Sequence, residues 1–136
     1  MFEIKLSAQI ERKLNDLIGR IQNNTATKDE IKFCKKLLKI FELLSKNPRH
    51  NGLNSHQIEI LSRDYGSIVW QSYLENRKPA AGRIFWVYYP KGAITIIGIA
   101  KHPNNKHSYE KIDLSGTIEW ENRGIASVFH RRDNLF

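Results

Sequence analysis

Apolar side chains change their spacing once along this chain, and that change limits what it can fold into. In the first third they recur at intervals of three and four. Ile10, Leu14, Leu17, Ile18 and Ile21 form one stripe, and Ile31, Cys34, Leu37, Leu38, Phe41 and Leu44 form a second. Such spacing puts side chains on one face of an α-helix. Ser7 offers the first helix a cap, and Asn23-Asn24-Thr25 ends it as a turn. Thr27 and Glu30 have the spacing of a capping box for the second helix, and Asn47-Pro48 stops it. The turn between them is short, which predicts an antiparallel helical hairpin. Lysines 32, 35, 36 and 39 fall off the apolar stripe.

From His56 onward the pattern is that of strands. β-Branched and aromatic residues dominate, and turn residues come at close intervals. The expected strands are Gln57 to Leu61, Ile68 to Leu74 (with Ile68, Trp70 and Leu74 sharing a face), Arg83 to Tyr89 and Ala93 to Lys101. Ser108 to Leu114 reads as a final short strand or an extended segment. Pro90-Lys91-Gly92 reads as a hairpin turn, and the unbroken apolar run after it suits an interior strand. Phe2, Ile4 and Leu6 alternate with Glu3 and Lys5, so one more short strand precedes the helices. The expected fold is α+β: an N-terminal strand and a helical hairpin packed on a mainly antiparallel sheet. Residues 1–116 form one domain in this reading. Residues 117–136 are an extension of unassigned role, in which Ile118, Trp120, Ile125, Val128 and Phe129 are available for packing.

The 136 residues suffice for one core without staples. A single cysteine, Cys34, excludes an internal disulfide and suits a reducing compartment, with the thiol serving as a small buried hydrophobe. No apolar run has the length of a membrane span and the N-terminus lacks signal-peptide character, so a cytoplasmic location without membrane association is expected. A formal net charge of +8 favours polyanionic partners, and by itself does not separate nucleic acid from an acidic protein, a membrane surface or a merely solubilising role. The five histidines lack a second cysteine and suitable spacing, so neither a metal site nor a cofactor is expected.

Four stretches, taken in order, resemble the RelE/ParE superfamily of bacterial toxins. The opening Phe2-Glu-Ile-Lys-Leu-Ser is similar to the family's first strand running directly into helix one. Leu43-Leu-Ser-Lys-Asn-Pro-Arg-His, followed by Gly52-Leu, resembles its helix, Asn-Pro, Gly-Leu junction. Arg83-Ile-Phe-Trp-Val-Tyr resembles its signature strand. Ile94-Thr-Ile-Ile-Gly-Ile-Ala-Lys-His, with Tyr109 soon after, resembles the strand and basic turn that follow. The resemblance implies a toxin that cleaves mRNA on the ribosome without a metal and is neutralised by a small antitoxin. The ParE branch of the family implies inhibition of gyrase instead. A non-catalytic binding module on the same scaffold is the third possibility.

Metal-free RNA cleavage uses the substrate's own 2′-hydroxyl as nucleophile. The protein must orient that group, move its proton, stabilise the charged phosphorane and protonate the leaving oxygen. Arg83 stands at the place of the family's signature arginine, and a guanidinium grips two phosphate oxygens at once. His102, His107 and Tyr109 are the candidate proton carriers, with Lys101 beside them for RNA binding. Arg49, His50, His56 and Arg63 form a further group expected to bind RNA phosphates. The family often places lysines in this stretch, whereas this chain has none between Lys46 and Lys78. Trp70, Tyr73, Trp86 and Tyr88 are available to stack on bases where exposed.

Overall fold

The computed structural model describes residues 1–75 and 82–100. The segment Ser108 to Leu114 and the extension 117–136 lie outside them. Strand β1 (Glu3–Leu6) leads into helices α1 (Ala8–Gln22) and α2 (Lys28–Lys46). After a 3-10 turn (Asn51–Leu53) come β2 (His56–Gln57), α3 (Glu59–Tyr65), β3 (Trp70–Tyr73), β4 (Arg83–Tyr88) and β5 (Ala93–Ala100). The strands form one sheet in the order β1-β5-β4-β3-β2. Every neighbouring pair is antiparallel except β1 with β5, which run parallel with Ile4 opposite Ile94 and Leu6 opposite Ile96. The apolar run at 93–100 is therefore an interior strand, flanked on both sides, as its composition requires.

The helix boundaries follow the caps. The Ile10 amide donates to Ser7 Oγ at 3.3 Å. The Glu30 amide donates to Thr27 Oγ1 at 3.1 Å while the Thr27 amide donates to Glu30 Oε1 at 3.0 Å, which completes the capping box. Arg20, near the end of α1, reaches back to the same Glu30 carboxylate and locks the two helices together. The Thr27 amide, and then Arg20, hold the Glu30 carboxyl below the usual carboxylate range. Cys34 lies in the helix interface, fully buried, and burial pushes its thiol up to about 11. It is a packed hydrophobe rather than a nucleophile.

The hairpin covers one face of the sheet. Ile10, Leu14, Ile18, Leu37, Phe41 and Leu44 meet Ile4, Leu6, Trp70, Ile84, Trp86, Ile94 and Ile96. Each such side chain contributes about 1.5–3 kcal/mol by leaving water. Trp70 and Trp86 stack with centroids 5.5 Å apart and planes inclined by 12°. Trp86 Nε1 donates to Ser72 Oγ at 2.8 Å, Ser72 and Ser55 share a hydroxyl bond of 2.7 Å, and Ser55 Oγ donates to Pro48 O at 2.8 Å. This hydroxyl chain ties the segment after α2 to the sheet and satisfies the indole in the core.

The opposite face carries a separate cluster, Leu61, Val69, Phe85, Val87 and Ile97, with Ile58 and Tyr65 packed against it. The expected strand Gln57 to Leu61 is here corrected. Pairing stops at Gln57, and a helix, α3, begins at Glu59. Ile58 and Ile60 alternate like a strand, but Ile58, Leu61 and Tyr65 have helical spacing, and these three pack on the sheet. Gly66 ends α3 in the left-handed conformation at φ 86°, where a Cβ is disfavoured. Ile68 is also corrected: it precedes β3 and is 51% exposed, while Trp70 and Leu74 face the hairpin.

Candidate functional site

Alternation along β4 decides which side chain faces where. Ile84 and Trp86 point to the hairpin, so Arg83, Phe85 and Val87 point to the α3 side. Across the sheet Arg83 lies opposite Tyr73, and Phe85 lies opposite Gln71. Gln71 in turn lies opposite His56 on the edge strand. Arg83, Tyr73, Gln71 and His56 thus share one face, because paired residues of neighbouring strands stand side by side. α3 begins beside Val69, whose carbonyl accepts from the Ile58 amide at 2.9 Å. The apolar cluster therefore occupies the Val69–Val87 end of this face, and Arg83 with Tyr73 the other end.

The contacts within this group are specific. The Arg83 guanidinium carbon stands 4.6 Å above the Tyr73 ring centre. Arg83 is only 9% exposed, so its charge works in a partly desolvated setting where a cation–π contact is worth about 2 kcal/mol at most sites of this kind. Tyr73 is half-buried and meets the His56 ring at 5.9 Å, inclined by 39°. His56 Nδ1 lies 3.1 Å from Asn54 O, and His56 Nε2 lies 3.3 Å from Gln71 Nε2. The ring thus bridges the Asn54 carbonyl and the Gln71 side-chain amide, which fixes its orientation on this face. Gln71 is fully buried. No feature of the sequence singled it out, since a lone glutamine within a strand carries no spacing signal.

The expected phosphate group of Arg49, His50, His56 and Arg63 does not stay together. Arg49 lies on the hairpin side, with its guanidinium 4.7 Å above the Trp70 ring. His50 caps the 3-10 turn, where its Nδ1 accepts from the Gly52 amide at 2.9 Å. Arg63 is exposed on α3, on the same side of the sheet as Arg83. Only His56 joins the Arg83 group directly. Among the aromatics, Trp70 and Trp86 are core residues, while Tyr88 is 43% exposed and stands edge-on to Trp86 at 4.9 Å. Burial raises the Tyr88 phenol and the Arg49 charge opposes it. Lys101, His102, His107 and Tyr109 lie outside the described residues. The described chain ends at Ala100, directly opposite Arg83.

No protein-family model, curated protein or solved structure matches the chain. Among the described residues no helix is long and apolar enough to cross a membrane.

Proposed function

We propose that this protein is a toxin of the RelE/ParE type: a metal-free endoribonuclease that cuts mRNA on the ribosome, blocks translation and is neutralised by a cognate antitoxin. The observation that carries the proposal is the Arg83–Tyr73 pair. A guanidinium is held rigid by an aromatic ring, 9% exposed, on a strand rather than a loop. Preorganised positive charge in a partly dry site is what a developing phosphorane needs. Arg83 would grip two non-bridging phosphate oxygens and stabilise the added charge. Tyr73 and His56 carry exchangeable protons on the same face, and His102, His107 and Tyr109 follow closely in sequence after Ala100. These are the groups from which the acid and the base would be drawn.

The test is cleavage of an end-labelled RNA by purified protein, free and in a translating extract, with a chelator present. Wild type is expected to produce discrete ends with the chelator present. Arg83→Ala should lower the rate by about 10²- to 10³-fold while the protein stays folded. Intact RNA with wild-type protein in both settings, or full activity in Arg83→Ala, overturns the proposal.

A further inference from the structure

The outer surface of α2 is charged in an unusual way. At about 100° per residue, Lys28, Lys32, Lys35, Lys39 and Lys46 fall within an arc of about 60° and along about 27 Å of helix. All five are exposed, and they lie opposite the buried stripe of Cys34, Leu37, Leu38, Phe41 and Leu44. Lys36 stands beside them and pairs with Glu75. Two acids border the row: Asp29, exposed in the first turn, and Glu42, which pairs with Lys46 at 3.5 Å.

A helix face that is merely solvated usually interleaves the two signs. α1 does this: Arg20 meets Asp16 one turn before it at 3.2 Å, and also Glu30. In α2 acids flank the ends of the row, Asp29 beside Lys32 and Glu42 beside Lys39 and Lys46, but between them the neighbours at three and four residues are lysine on lysine, 28 with 32, 32 with 35 and 35 with 39. Each such repulsion costs a helix roughly 0.2–0.5 kcal/mol. None of the large apolar side chains exposed among the described residues lies on α2, so the row lacks the greasy anchors of a membrane or hot-spot interface.

We propose that this row is a second binding surface, for the phosphate backbone of double-helical RNA. It lies on the far side of the hairpin from Arg83 and is independent of cleavage. Lysines on a straight rod contact phosphates without reading sequence, as suits a duplex recognised by shape. That the polyanion is RNA rests on the function proposed above; the surface itself does not.

The experiment measures binding of a short RNA duplex by fluorescence anisotropy between about 50 and 200 mM salt. It compares wild type, Lys28→Gln/Lys32→Gln/Lys35→Gln/Lys39→Gln and Arg83→Ala. Each lost phosphate contact removes roughly 0.9 from the slope of log K against log salt, so the quadruple variant should lose about three and a half units. Its affinity at low salt should fall at least tenfold, its melting temperature should hold or rise, and its cleavage of a short single strand should be unchanged. Arg83→Ala should keep the wild-type slope. A slope change below about one unit in a folded quadruple variant overturns the proposal. So does a polyglutamate peptide that competes as well as the duplex at equal charge. A wild type that cuts nothing yet shows the lysine-dependent slope removes the nuclease reading and leaves this surface standing.

Discussion

The two faces of the sheet use the same strands in opposite ways. The hairpin face is mostly apolar, with Ser72 bonded to the Trp86 indole within it, and is closed by two long capped helices, with the Trp70–Trp86 stack at its centre. The other face is mixed. α3, seven residues long, packs over Val69, Phe85, Val87 and Ile97, and the same strands then present Gln71, Tyr73 and Arg83. Because side chains alternate, β4 serves both faces in successive residues. Trp86 and Ile84 anchor the fold, and Arg83 carries charge one position away. The apolar anchors and the buried charge are thereby separable by single substitutions.

The largest expected effect is on the hairpin face. Trp86→Ala leaves a cavity and strips Ser72 of its indole partner, and should cost about 3–5 kcal/mol in urea denaturation. A cost below about 1 kcal/mol would break the contrast between the faces. Next, Leu37→Ala and Leu61→Ala remove equal side chains, 1% and 2% exposed, from opposite faces. Both should cost within about 2–5 kcal/mol, with Leu61→Ala the lower, because a short helix collapses more readily onto the space left. Equal costs would mean that α3 is as integral as the hairpin. Arg83→Ala should change stability by about 2 kcal/mol, set by its contact with Tyr73.

The smallest effects lie far from the sheet. Thr27→Ala should cost about 1 kcal/mol by opening the capping box. Glu30 adds a pH dependence. Its folded carboxyl titrates lower than its unfolded one, so its stabilisation is fully present above the usual carboxylate range. That contribution is lost as pH falls through the depressed folded value. Comparing Glu30→Gln with wild type should therefore show a wild-type advantage at neutral pH that shrinks in acid. An advantage unchanged in strong acid would remove the carboxylate from the account.

Much of the fold was legible in the sequence where spacing and chemistry agree. Ser7, Thr27 and Glu30 mark helix starts because a cap needs only local geometry. The strands at 83–88 and 93–100 are long enough for their composition to speak. α3 was hidden because Ile58 and Ile60 fit a two-residue period as well as Ile58, Leu61 and Tyr65 fit a helical one, and seven residues do not decide between them. The site was legible in part. Arg83 could be placed beside Phe85 and Val87 by alternation alone. The separation of Arg49 from His56 could not, because it depends on where a loop carries each residue across the sheet edge. Gln71 gave no signal at all, since its position derives from partners on other strands.

The parallel pairing of β1 with β5 joins residues 3–6 to residues 93–96. Parallel neighbours so distant in sequence meet only after nearly all the intervening chain exists. During synthesis the amphipathic hairpin therefore emerges long before the strands it must cover, with its apolar stripe open to water. A nascent chain in that condition invites chaperones, or its own neighbours on a polysome, until β5 arrives to close the sheet.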